Sequence, residues 1–221
     1  MPPAESSPRW RGFYVKDAAA ELDYQPRLIE AALAALDERR GGHVLRTARV
    51  AADLAPGMED RFRELSLPEE EPVAEVPLPP RAYLAGILHD SHRDGTGPTP
   101  DFPLDDLAAR YPRKLAHAAL AAQSAHDAGL RDAGVLFAVR YHTIGHPSPT
   151  PLLCSLMLAD AVEPGRAHAG IEELRETAGR DPVTALVMRL KRTTGFVAAQ
   201  GLEVHPNALA QIAALERALN Q

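Results

Sequence analysis

A single cysteine stands among the 221 residues, so an intramolecular disulfide is excluded. Cys154 sits inside the apolar run 152–157, the usual setting of a buried thiol, and a cytoplasmic home is the expectation that goes with it. Aromatic residues make up only 5% of the chain, the formal net charge is −6, and there is no long basic run. A broad cationic surface with interleaved aromatics is therefore not expected, which disfavours generic nucleic-acid binding. A small phosphorylated ligand stays open, because a bound cation can reverse the local field. No stretch is long and apolar enough to span a bilayer, and residues 1–7 lack the apolar core of a secretory signal. A Ser or Cys nucleophile motif is also missing, as is strand-like alternation.

What is present is helical periodicity. Hydrophobic residues reach 45%, enough for a real core, and the length suits one domain with a small extension. We read residues 1–25 as an N-terminal extension and 26–221 as one helical bundle, so the fold class is all-α. Short helices are expected at 17–22 and 104–111, and a longer one at 26–40, opened by Pro26 and broken at Gly41-Gly42. The next apolar pattern starts at His43 and is expected to stop at Pro56-Gly57. A long loop then follows near 56–80, in which 58–65 can form a short helix, with Glu69-Glu70-Glu71-Pro72 and Pro77-Leu78-Pro79-Pro80 inside it, and helix resumes at Arg81. Residues 91–102 carry two Gly and two Pro and read as a loop, after which Pro112 can begin another helix. Further helices are expected at 133–142, 151–161 and 171–178. Asp181-Pro182 and His205-Pro206 look like cap plus first-turn proline for the last two.

The chemistry concentrates where apolar segments end. Leu84-Ala85-Gly86-Ile87-Leu88 runs into His89-Asp90, two good ligands for divalent metals. His43, His89, Asp90 and Asp160 would make one mixed site. A carboxylate can bridge two ions, which makes Asp90 the natural centre of a pair, with His117 and His142 completing the second ion's ligands. Each residue alone also has an ordinary reading. His43 suits a cap or a polar surface, His117 a hydrogen-bonded position on an amphipathic helix, His142 the terminal carbonyls of its helix, and Asp160 the cap of the following turn.

These segments resemble the HD-domain phosphohydrolases, and within them the YqeK-type symmetrical diadenosine tetraphosphate hydrolases. The resemblance runs through His43-Val44-Leu45-Arg46, Tyr83-Leu84-Ala85-Gly86-Ile87-Leu88-His89-Asp90, Arg140-Tyr141-His142-Thr143-Ile144-Gly145, Leu158-Ala159-Asp160-Ala161-Val162-Glu163-Pro164-Gly165-Arg166 and Gly170-Ile171-Glu172-Glu173-Leu174-Arg175, and covers roughly residues 36–207. Ser91-His92-Arg93 departs from the apolar, small and Lys residues that relatives commonly carry there, and Ala118 stands where they usually place Gly. The resemblance implies an all-helical enzyme that splits a dinucleoside tetraphosphate into two nucleoside diphosphates. It also implies metal ligation by His43, His89, Asp90, His117, His142 and Asp160, with a metal-activated water as nucleophile at Asp90.

Two divalent or mixed-valence ions are implied, iron foremost, with manganese, cobalt and zinc as alternatives. Arg46, Arg93 and Arg166 are the candidates for phosphate contact or charge balance, Arg93 and Arg166 also for a catalytic part, although salt bridges would account for all three. His92 is a candidate to touch substrate or accept a proton. Glu163 is a candidate to hold a ligand histidine in one tautomer. The expected partner is a dinucleoside polyphosphate or another small nucleotide, with no membrane and room for a homodimer through the amphipathic C-terminal helix. Two other readings stand beside this one: an HD hydrolase of another nucleotide or phosphomonoester, and a non-catalytic nucleotide-sensing or protein-binding module.

Overall fold

The computed structural model describes residues 25–69, 76–93 and 115–221. The described residues form helices joined by turns and short connections, as an all-α fold requires, and none of these helices is long and apolar enough to cross a membrane. The expected helices at 17–22 and 104–111, the start at Pro112, the loop beyond residue 93 and nearly all of the 1–25 extension lie outside the described residues.

α1 (Pro26–Ala34) stops earlier than the periodicity predicts. Asp37 ends the pattern: its carboxylate accepts from Arg40 N (2.8 Å) and caps a second helix, α2 (Glu38–Glu64). α2 overrides two expected breaks, running through Gly41-Gly42 and through Pro56. An interior proline costs about 3 kcal/mol or more. On the other side of Pro56, however, Met58 and Phe62 are both fully buried and extend the stripe begun by Val44, Ala48, Ala51 and Ala55. Burying each large side chain returns about 1.5–3 kcal/mol, so the packed stripe outweighs the missing hydrogen bond.

The long loop near 56–80 is corrected from both ends. Residues 56–64 are helical, and α3 (Leu78–Leu88) begins before Arg81, because Pro79 and Pro80 fall in its first turn where no N–H is needed. The remainder is the connection 65–77, of which 70–75 lie outside the described residues.

The later elements follow the sequence closely: α4 (His117–Asp127), α5 (Ala133–Tyr141), α6 (Pro151–Val162), α7 (Ile171–Ala178), α8 (Pro182–Ala199) and α9 (Pro206–Leu219). Asp181 caps α8 through Val183 N (3.1 Å) and Thr184 N (3.0 Å), and His205 Nδ1 caps α9 through Asn207 N (3.1 Å).

α2 is the spine, packing most extensively on α3 and next on α6. α6 is buried on every side from Pro151 to Ala159, as a central helix must be. The approach of α3 to α2 is closest at Gly86, where a Cβ would lie 2.4 Å from Ala48 Cα. α3 is tied to α5 by a buried two-point pair, Arg81 Nε and Nη2 to the two Asp132 oxygens, each at 2.8 Å. This packing brings the start of α2, the ends of α3, α5 and α6, and the start of α4 to one place.

Candidate metal centre

Five helices each deliver side chains to that place. His43 sits in the second turn of α2, His89-Asp90 follow α3, His117 opens α4, His142 caps α5 and Asp160 lies in the last turn of α6. The six residues predicted as ligands therefore converge. His43, His89 and Asp90 form one group able to hold a cation, and Asp90, His117 and His142 form a second. Asp90 divides its carboxylate between them. Oδ2 lies 3.9 Å from both His43 Nε2 and His89 Nε2, whereas Oδ1 lies 3.2 Å from His117 Nε2 and 4.0 Å from His142 Nε2. Asp160 joins the first group, with Oδ1 3.2 Å from His43 Nε2 and 3.9 Å from His89 Nε2.

The imidazoles are held from behind. His89 Nδ1 donates to Gly86 O and His142 Nδ1 to Val139 O, each at 2.7 Å, and His43 Nδ1 donates to Glu163 Oε1 at 3.2 Å. With Nδ1–H committed, His89 and His142 turn the Nε2 lone pair inward, the tautomer a metal ligand needs, and His43 aims its Nε2 at the same place, where a bound cation would displace the proton that the neighbouring carboxylates hold on it. His43 Nε2 and His89 Nε2 are buried and make no hydrogen bond. Two inward nitrogens of this kind among carboxylate oxygens fit a borderline divalent ion, and that donor set matches the metal that an HD domain implies.

The electrostatics separate the groups. Burial lowers His89, against the pull of Asp90 and Asp160, and lowers His142 to about 3 with help from His89 and His117. Burial would lower His43 too, but Asp160 and Glu163 outweigh it and raise the ring to about 9. Burial would raise Asp90 and Asp160. Instead, His117 holds Asp90 below the usual carboxylate range, and His43 with Arg166 holds Asp160 far below it. Both carboxylates are therefore anionic at neutral pH, ready for a cation.

The three predicted arginines are near the centre, each already engaged. Arg46 Nε donates to Glu163 Oε2 (2.6 Å), and Arg166 donates to Asp160 through the main-chain oxygen (2.8 Å) and through Oδ1. Arg93 Nη1 lies 3.0 Å from His117 Nε2 and 3.7 Å from Asp90 Oδ1. His92 is half-buried, with Nδ1 3.1 Å from Ser91 Oγ, and burial together with His117 lowers its pKa.

One cation was missed. Arg40 Nη1 stands 3.6 Å from Asp90 Oδ2. Arg40 precedes His43 by one helical turn, as Arg46 follows it, so a helix drawn through Gly41-Gly42 would have exposed it.

The HD domain family model matches residues 40–165, more than half of the chain. Among characterised proteins, the chain is similar to the symmetrical bis(5'-nucleosyl)-tetraphosphatase of Bacillus subtilis (38% identity; 37% of this chain, 44% of that protein). It is also similar to the proteins of the same name from Halalkalibacterium halodurans (34%; 45% and 54%) and Staphylococcus aureus (29%; 65% and 68%). The match to the first two spans about half of their length. A crystal structure of a predicted HD superfamily hydrolase involved in NAD metabolism from Clostridium acetobutylicum superposes with a TM-score of 0.68 at 27% identity, over 88% of this chain and 97% of that one. By the extent of the family match and by this shared fold, the chain belongs to the HD-domain family.

Proposed function

We propose that this chain is a metal-dependent hydrolase that splits a dinucleoside tetraphosphate symmetrically into two nucleoside diphosphates. The observation that carries the reading is the division of Asp90, one carboxylate oxygen toward His43 and His89 and the other toward His117 and His142. The names of the similar proteins supply the substrate class. In this reading His43, His89, Asp90 and Asp160 hold one ion and Asp90, His117 and His142 the other. Iron is the leading choice for these nitrogen and carboxylate donors, with manganese, cobalt or zinc as alternatives. Bound there, the ions would neutralise phosphate charge and make water nucleophilic at neutral pH.

The chain's own residues do the rest. Arg46, Arg93 and Arg166 ring the centre with guanidinium groups suited to phosphate oxygens and orient the polyphosphate so that a nucleoside diphosphate leaves. His92, kept neutral at pH 7 by burial and by His117, stands to accept a proton at the ring nitrogen not facing Ser91. A cytoplasmic location and a homodimer through α9, where Leu209 is exposed, belong to the same reading. Solution mass would decide the homodimer.

A second reading, hydrolysis of another nucleotide, draws on the Clostridium acetobutylicum neighbour, described as acting in NAD metabolism. One experiment separates the two. The protein is stripped with chelator, reloaded with iron, manganese, cobalt or zinc in turn, and assayed on dinucleoside tetraphosphates, a dinucleoside diphosphate and a phosphomonoester. Metal-restored turnover highest on the tetraphosphate supports the first reading, and highest on either other substrate class supports the second.

A further inference from the structure

The turn between α6 and α7 holds two arms of the centre at once. Glu163 accepts from His43 Nδ1 (3.2 Å) and from Arg46 Nε (2.6 Å), while Arg166, three residues on, donates to Asp160. Beneath the turn lies Arg175, on α7 and only 7% exposed. Its guanidinium donates to Val162 O (2.9 Å), Glu163 O (2.8 Å) and Arg166 O (3.0 Å), and Nη1 reaches Glu172 Oε1 (2.7 Å). Three carbonyls of one turn thus converge on one buried cation. A planar fork of five N–H donors can serve them together, whereas a lysine ammonium cannot reach the same three points from one position.

We propose that Arg175 is a positioning residue for one half of the metal centre. It fixes the turn at 162–166. Through Glu163 and Arg166, the turn sets His43 and Asp160. The other half is held by different means, His142 through Val139 O and His117 as the first residue of α4. Loss of Arg175 therefore loosens the His43–Asp160 half and leaves the His117–His142 half intact. This inference rests on the two-ion reading above.

The test is calorimetric titration of manganese into metal-free protein, with no turnover involved. Wild type shows two binding phases, and the one that His43→Ala abolishes marks the His43 half. Arg175→Lys is expected to weaken that phase by about ten- to a hundredfold, the range for groups behind a ligand, and to leave the other unchanged. Combined with Glu163→Gln, its effect on that phase is less than additive, because both act along one route. A circular-dichroism melt of each metal-free variant checks the fold, and Arg175→Gln repeats the comparison if Arg175→Lys does not fold. Equal weakening of both phases, weakening of neither, full additivity with Glu163→Gln, or unfolding of both Arg175 variants overturns the proposal. A wild type without two phases overturns the two-ion reading, and this inference with it.

Discussion

His43 Nδ1 and Glu163 Oε1 meet at 3.2 Å across 120 residues of chain. The contact, with Asp160, gives His43 an affinity for protons that burial alone would have removed. It also sets His43 against its neighbours, because burial keeps His89 and His142 neutral.

The metal-free protein should accordingly be most stable near pH 6.5. His43 is raised from 6.5 to about 9, so its contribution is complete below pH 6.5 and is lost as pH rises toward 9. His142 is lowered from 6.5 to about 3, so its contribution is present above pH 6.5 and is lost as pH falls toward 3. Urea midpoints taken across this range check both limbs, and Glu163→Gln should flatten the alkaline limb. A wild-type midpoint that holds constant from pH 6.5 to 9 contradicts the account of His43.

On the two-ion reading, Arg93 and a metal ion would compete for one nitrogen. Arg93 Nη1 lies 3.0 Å from His117 Nε2, the atom turned toward Asp90. Arg93→Ala should leave metal affinity at the His117–His142 half equal or higher, while raising KM for a dinucleoside polyphosphate, since a phosphate contact is lost. Titration of metal and steady-state kinetics on the same preparation read the two effects separately. Weaker metal binding with unchanged KM would reverse the assignment.

Gly86→Ala sets two effects against each other. Alanine is favoured over glycine within a helix by about 1 kcal/mol. The added Cβ, however, would lie 2.4 Å from Ala48 Cα and 2.7 Å from Ala48 N, both main-chain atoms. Overpacking of this kind costs about 1–3 kcal/mol, so the net effect is destabilising, and the displaced α3 also carries His89 and Asp90 away from His43. Denaturant unfolding should show a lower midpoint, and the reloaded variant less bound metal. A stabilised variant would mean that α2 and α3 pack less closely than described.

Asp132→Ala probes the scaffold apart from the centre. Asp132 holds Arg81 at two points of 2.8 Å and caps α5 through Val135 N (3.1 Å). Removing one partner of a buried pair costs about 3–5 kcal/mol. Chemical denaturation should register a loss of that size, and a loss under about 1 kcal/mol, the scale of an exposed pair, would show that Arg81 finds water instead.

The sequence disclosed the centre better than the path of the chain around it. His89-Asp90 ends an apolar run, Asp160 closes another, and such endings are visible as residue types. The caps at Asp181 and His205 were legible for the same reason, since a polar residue followed by proline marks a helix start locally. Pro56 misled because its effect is local whereas the force that overrides it is not: Met58 and Phe62 keep α2 helical by packing against residues far along the chain. The loop near 56–80 was overdrawn as a direct result. The arginines were found as charges, but their engagement by Glu163, Asp160 and His117 depends on side-chain reach across helices, which no spacing encodes. Arg175 was part of a matching segment, yet its three carbonyl partners appear only once α7 folds beneath the turn.

The central claim is a symmetrical cut directed by a centre that Asp90 divides in two. It is tested most directly with a tetraphosphate carrying two different nucleosides, supplied to metal-reloaded protein with the products separated by chromatography. The account predicts the two nucleoside diphosphates in equal amounts, and no turnover from Asp90→Asn. A nucleoside triphosphate paired with a monophosphate, or full turnover by Asp90→Asn, would contradict it.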